Sequence, residues 1–279
     1  MYDLVDAYAD WGILEPARID IISDIFRRFV SPPMRVFCMT DTSVSNSLLI
    51  EARPFPSLGK RDHGWLKPNF HFSFSDYYDP SRMSWGAIRV WNDDEIAAQS
   101  GFAPHAHDNM EIITYVREGA ITHRDSMGNV GRTEAGDVQV MSAGTGVTHS
   151  EYNLEDGLCR LFQIWVLPRD RNVPPAWDQR QFPKGDRSGA FNVLASGYGE
   201  VGALVINADA RVLGATVPAG ATAEYQLAEG NHAYLVPAVG RVRIAGVEYG
   251  ARDGIAIKGS GVLHIEAIED AELVMVDSA

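Results

Sequence analysis

Residues 105–153 read HAHDNMEIITYVREGAITHRDSMGNVGRTEAGDVQVMSAGTGVTHSEYN. The stretch opens on His105-Ala106-His107 and nears its end at His149-Ser150-Glu151, with turn-rich, strand-like sequence between. Side chains two residues apart on a β-strand leave the same face. His105 and His107 can therefore point together, and so can His149 and Glu151. If the two strands are neighbours in a barrel, four donor groups converge inside it. Three imidazoles and a carboxylate suit a first-row divalent metal. The alternative is four unrelated polar residues on surface strands. One His-x-His would not decide the matter; two same-face pairs, each followed by strand-like sequence, favour a metal site.

Between the pairs the chain alternates strands and tight turns. Ile112 to Val116 is apolar and β-branched, as strands are. Ala120 to Arg124 follows, and Asp125-Ser126-Met127-Gly128-Asn129 has hairpin composition. Val138 to Met141 is a further strand. Ser142 to Gly146 holds two glycines in a bend that delivers Thr148 to Tyr152, the second donor strand. Leu158 to Leu167 is apolar on both faces and predicts a buried strand. Short, regularly spaced strands with glycine turns predict an all-β sandwich or barrel.

The totals set limits on function. The chain has 279 residues, 46% hydrophobic and 22% charged, as a folded protein of one large or two ordinary domains has. Its net charge of −13 opposes non-specific binding to nucleic acid or anionic lipid. No run approaches the ~18 apolar residues of a membrane span. Cys38 and Cys159 make no disulfide framework, and the acidic N-terminus lacks a secretory pattern, so cytoplasm is the expected compartment.

Residues 1 to about 33 have helical spacing, with Ile22, Ile25, Phe26, Phe29 and Val30 on one side and Pro32-Pro33 as the stop. They read as an accessory extension, as a docking arm, or as the product of an upstream start with Met34 or Met39 as the true one. From Leu48 the signals turn β-like. Phe70, Phe72 and Phe74 alternate with His71, Ser73 and Ser75, the pattern of a half-buried strand. Asn92-Asp93-Asp94-Glu95 reads as a solvated acidic loop. Pro168 to Pro183 is a connector, and beyond it eight strand-like segments between Gly202 and Val276 predict a second small barrel. The expected division is 1–46 for a partly helical extension, 47–170 for a metal-bearing barrel and 171–279 for a second barrel.

The central block also has the cupin form. It carries His-x-His, a Glu at 111, Gly136, Gly146-Val147-Thr148-His149 and Asn153. More specifically it resembles the pirin family of two-barrel cupins. The resemblance is carried by His105 to Glu111, Thr114-Tyr115, His123 to Asn129, Gln139 to Gly146 and His149 to Asn153. Upstream, His63-Gly64-Trp65-Leu66, Phe72-Ser73-Phe74, Tyr77-Tyr78-Asp79-Pro80 and Arg89 to Asp94 match. Downstream, Gln163-Ile164-Trp165-Val166 and Gln179-Arg180 do. It runs from residue 47 to 279 and is strongest from 63 to 183. It points in particular to bacterial pirins that act as quercetin 2,3-dioxygenases.

The resemblance implies two tandem jelly-roll barrels and an iron held by His105, His107, His149 and Glu151. This chain has Ala106 where pirins usually have Pro, and its N-terminal extension departs from the usual pattern. Fe(II) is the metal implied, while Mn, Ni, Cu, Co and Zn accept the same donors. In pirins the carboxylate of the second motif is the ligand, so Glu111 is expected beside the site, orienting an imidazole. His123 is expected at the surface or the pocket rim. His232 and His264 stand alone, so the second barrel is expected to hold no metal. Asp125 and Asn129 fit turn chemistry, and Cys159 a small buried hydrophobe.

Two functions of different class follow. The first is a metal-dependent dioxygenase that opens a flavonol such as quercetin with O2; the flavonol hydroxyl binds the metal and Glu151 takes its proton as base. The other is a metal-bearing redox sensor that binds a transcription factor or metabolic enzyme, which rests on family analogy alone. A third, blander option is another cupin enzyme, such as an isomerase or a dioxygenase with a non-flavonol substrate.

Overall fold

The computed structural model describes residues 47–279, so the helix expected in the first 33 residues, and Cys38, lie outside it. Apart from 3-10 turns at Phe55–Ser57 and Lys184–Arg187, regular structure among these residues is all strand, and no helix among them is long and apolar enough to cross a membrane. The first twelve strands are β1 (Leu49–Arg53), β2 (Gly59–Lys60), β3 (Leu66–Phe70), β4 (Ile88–Ile96), β5 (Ser100–His107), β6 (Glu111–Glu118), β7 (Ala120–Asp125), β8 (Val130–Glu134), β9 (Val138–Ser142), β10 (Val147–Asn153), β11 (Cys159–Val166) and β12 (Ala176–Arg180). The remainder are β13 (Asn192–Ser196), β14 (Leu204–Val205), β15 (Ala210–Val217), β16 (Thr222–Leu227), β17 (His232–Val239), β18 (Val242–Ile244), β19 (Val247–Tyr249), β20 (Gly254–Lys258), β21 (Gly261–Ala267) and β22 (Ala271–Ser278).

These strands make two cupin barrels, each built from a seven-stranded and a four-stranded sheet. The first joins β12-β9-β6-β11-β4-β3-β2 to β5-β10-β7-β8; the second joins β1-β20-β17-β22-β15-β13-β14 to β16-β21-β18-β19. Hydrogen bonding crosses the connector in both directions. β1 precedes the first barrel yet pairs with β20 of the second, and β12, beyond residue 170, pairs with β9 of the first. Both barrels lie in one compact unit.

Strand alternation explains how the barrels meet. On β6, Ile113 and Tyr115 join an apolar cluster shared with the second barrel, while Ile112, Thr114 and Val116 belong to the first barrel's interior. β11 repeats the pattern, with Phe162, Ile164 and Val166 in the shared cluster. From the other side come Leu194, Val212, Tyr234, Val236 and Val276. The Tyr234 ring lies 5.0 Å from Phe72 and 5.4 Å from Trp91, and its hydroxyl meets His71 Nδ1 at 2.9 Å. Fully burying side chains of this size contributes on the order of 2–3 kcal/mol each.

Two sequence expectations need correction. The alternating strand expected over Phe70 to Ser75 stops at Phe70. His71 and Ser73 are as buried as Phe72, because the segment runs into the seam between barrels, where neither side meets solvent. The solvated loop expected at Asn92 to Glu95 is instead the middle of β4, with Asn92, Asp93 and Asp94 buried. Asp93 is compensated by ion pairs with Arg117 and Arg252, which is how a buried carboxylate is tolerated in an interior strand.

The bend before β10 depends on Gly144. Its φ is +47°, and a Cβ there would stand 2.1 Å from the Val173 carbonyl oxygen. Gly128, in the hairpin, also has positive φ (+94°), but a Cβ there meets nothing within 4 Å. In urea denaturation Gly128→Ala is expected to cost about 1 kcal/mol, the backbone penalty alone. Gly144→Ala, which adds the collision, is expected to cost about 3 kcal/mol or more. Equal losses would refute the close-approach role of Gly144.

Candidate metal centre

β5 and β10 pair antiparallel, with His149 directly across from His105 and Val147 across from His107. Opposed residues on neighbouring strands have Cβ atoms about 5 Å apart. The three imidazoles consequently meet. Ring centroids are 4.8 Å apart for His105 and His107, 4.5 Å for His105 and His149, and 5.0 Å for His107 and His149. One nitrogen from each lies within 4.8 Å of the other two.

The hydrogen bonds leave donor nitrogens bare where a cation would need them. His105 Nδ1–H donates to the Ala103 carbonyl at 2.8 Å, which leaves Nε2 with its lone pair. His149 Nε2 is buried with no partner. On the other side of that ring, His149 Nδ1 faces His123 Nδ1 at 3.4 Å, and His123 Nε2 lies 3.1 Å from Asp125 Oδ2. Burial opposes ionisation of Asp125, but hydrogen bonds from Asn129 and His123 outweigh it and hold the carboxyl below its usual range. A charged Asp125 only accepts, so His123 Nε2–H donates to it and His123 Nδ1 accepts from His149 Nδ1–H. That chain fixes the tautomer of His149 with Nε2 open. Burial, then the neighbouring imidazoles, brings His149 down to about 3; burial and His105 bring His107 down to about 4. Both rings are neutral at neutral pH, as metal ligands must be.

Glu151 lies past a bulge that shifts the register between it and His149. Its carboxylate is buried and takes hydrogen bonds from Gln139 Nε2 (2.6 Å) and Thr114 Oγ1 (3.3 Å) on Oε1, and from Gln163 Nε2 (2.9 Å) on Oε2. Burial is the largest influence on its pKa and raises it. Glu151 falls within 4.8 Å of His149 and His123, not in the group formed by His105, His107 and His149. The four expected ligands thus form two overlapping clusters joined through His149, with Glu151 drawn towards the glutamines of the facing sheet. Thr114, Gln139 and Gln163 are register neighbours on β6, β9 and β11, so they present one polar row to Glu151.

Glu111 does not orient an imidazole, contrary to expectation. Its position on β6 puts it on the outer face, where Oε1 accepts from Ser142 Oγ (2.6 Å) and Oε2 from the Asn207 backbone N–H (2.9 Å) in the second barrel. His123 is not at the surface: it is fully buried and stacks on Trp177 at 4.9 Å and 11°. A hint lay in the sequence, since His123 and Asp125 are themselves an i,i+2 pair. In the second barrel His232 packs edge-on to Trp85, and the exposed His264 pairs with Glu224 at 2.9 Å. Cys159 sits in an apolar cluster, where burial pushes its thiol up to about 12.

Beside the histidines opens a cavity of about 510 Å³ with aromatic walls from Trp65, Phe74, Phe102 and Trp165. Asn92 and Asp94 line it from β4. Burial, with the charges of Asp93 and Glu151, pushes Asp94 up to about 8.

The family models agree with this architecture. Residues 51–166 match the model described as Pirin, and residues 193–278 the one described as the quercetinase C-terminal cupin domain. A pirin-like protein of Caulobacter vibrioides is 59% identical over 232 residues, 83% of this chain and 100% of that protein. The quercetin 2,3-dioxygenase of Escherichia coli is 37% identical over 230 residues, 82% of this chain and 98% of that protein. The crystal structure of the bacterial pirin YhhW from Escherichia coli in complex with nickel(II) superposes with a TM-score of 0.78 at 36% identity, covering 82% of this chain and 99% of that one. With both barrels matched and the histidine cluster in the first of them, the chain belongs to the pirin family.

Proposed function

We propose that the protein is a metal-dependent dioxygenase that opens the ring of a flavonol such as quercetin with O2. The observation that carries this reading is the convergence of three imidazoles, one with an orphaned buried Nε2, on the wall of an aromatic cavity. The donor set fits one divalent ion, with Fe(II) first and Mn, Ni, Cu, Co or Zn accepted. His105, His107 and His149 would hold it, with Glu151 completing the set. When bound, the ion would supply Lewis acidity towards a substrate hydroxyl in the cavity. The names of the curated relatives support a flavonol substrate, and the nickel complex of YhhW supports a metal here.

The side chains supply the rest. Glu151 Oε2 accepts one hydrogen bond where Oε1 accepts two, so Oε2 has the capacity to take the flavonol hydroxyl proton. Burial, by raising its pKa, makes Glu151 a better base than an exposed carboxylate. Gln139 and Gln163 hold the carboxylate in place during that transfer. The aromatic walls accept a flat ring and keep bulk water from it. Overall, both atoms of O2 are incorporated and one ring carbon leaves as carbon monoxide. The first barrel, whose histidines and cavity lie within 47–170, carries this chemistry on our reading, and the second barrel supports it without a metal.

Two outcomes are expected. Purified protein reloaded with metal should consume quercetin under air, followed by loss of its absorbance; chelation should stop the decay, and His149→Ala should lose both bound metal and activity by about 100-fold or more. A fully loaded protein inert towards every flavonol would sink the proposal. His123→Phe keeps the stacking on Trp177 but removes the acceptor for His149 Nδ1–H. Its metal affinity, read by competition with a chromophoric chelator, is expected to fall by roughly 10- to 100-fold; wild-type affinity would refute the role given to His123.

A further inference from the structure

The polar row that faces Glu151 continues on β4, and there one oxygen of each side chain has no partner among the described residues. Asn92 lies directly across from Gln163 in the pairing of β4 with β11. Asp94, two residues on, leaves β4 on the same face. Both side chains line the cavity, at 5% and 2% exposure. Asn92 Oδ1 and Asp94 Oδ1 are buried, and neither has a hydrogen-bond partner among the described residues. Thr114, Gln139 and Gln163, in the same layer, are all engaged with Glu151. Asp93, on the other face of the strand, is satisfied by Arg117 and Arg252.

An unpaired buried acceptor destabilises a fold by the full desolvation of that group. Two of them, on one face of one strand and in side chains that line one cavity, are accounted for if a ligand supplies the missing donors. The histidines stand on β5 and β10 and this pair on β4, in the facing sheet, so a ligand at the histidines reaches the pair with its far side. The aromatic walls offer contact, and their polar groups are the indole N–H groups of Trp65 and Trp165, the latter without a partner among the described residues.

We propose that Asn92 and Asp94 form a subsite for ring hydroxyls remote from the metal, which makes the protein selective for polyhydroxylated flat aromatics over analogues with only the metal-facing hydroxyl. Phenolic O–H groups donate to the Asn92 amide oxygen and to the carbonyl oxygen of the Asp94 carboxyl. The inference rests on the flavonol reading only for the end of the ligand at the histidines.

The test is anaerobic binding to metal-loaded protein, by fluorescence quenching, of quercetin and of 3-hydroxyflavone, which keeps the metal-facing hydroxyl and lacks the others. In wild type quercetin binds more tightly. Asp94→Leu, at equal metal content, is expected to reduce the affinity ratio of the two by about tenfold, while Asp94→Asn, which still accepts, retains most of it. The melting temperature of Asp94→Leu is expected to rise, since an unpaired buried acceptor is gone. Should that variant fail to fold, Asn92→Leu is read in the same way. An unchanged ratio in a folded, metal-loaded leucine variant overturns the subsite, as does a wild type that binds both ligands equally. Aerobic turnover is scored apart. A shifted ratio without flavonol consumption removes the dioxygenase reading and keeps the subsite; consumption with an unshifted ratio does the reverse.

Discussion

The pairing of β10 with β5, which sets His149 across from His105, is the contact on which the site depends. Neither strand alone could bring three imidazoles together, because a strand offers one side chain per face every two residues. Antiparallel register supplies the third. The bulge after His149 then sets Glu151 apart from His105 and His107 and into the polar row of the facing sheet, still beside His149. That separation leaves a carboxylate held by amide groups beside a cluster of imidazoles. The arrangement joins a place for a cation to a place for a proton.

The two barrels share a plan and differ in what fills them. In the second, one continuous apolar cluster that includes Leu213, Leu235, Ile255, Ile265, Leu273 and Met275 occupies the interior. In the first, the interior is split. One small cluster around Ile96, Ile121 and Leu161 and another around Ile112, Met141 and Val147 flank the polar row and the cavity. A barrel interior hollowed in this way gives up packing that its twin retains. The shared cluster between the large sheets, with Trp91 and Tyr234 near its centre, offsets that loss and holds the hollow barrel against a filled one.

The histidine pairs were legible because strand periodicity fixes which side chains share a face, whatever the fold. The barrels were legible from the spacing of glycine turns and β-branched runs. His123, on the small sheet, is buried because Trp177 of β12 covers it, a contact that polarity and local spacing do not announce. Glu111 and Asp94 were not placed correctly for another reason. The large sheet of the first barrel is buried on both faces, one against the cavity and one against the second barrel, so polarity alone does not say where a residue points. A run of four polar residues at 92–95 looks solvated for the same reason, although alternate members go to an ion-pair seam and to a cavity. The exchange of β1 and β12 between barrels leaves no local trace either, since edge-strand partners are chosen by topology and not by neighbours in the chain.

That exchange has a temporal side. β1 is among the first described segments to leave the ribosome, and its partner β20 is among the last; just beyond β1, Phe55 N–H donates to Asp253 Oδ1, 198 residues away. At typical elongation rates of about 5–20 residues per second, the early strand waits roughly ten seconds or more for the one that receives it. Loop closure over such a distance is slow to be rewarded. The order of synthesis therefore makes the second barrel, which lacks the histidine cluster, the element whose arrival closes the molecule.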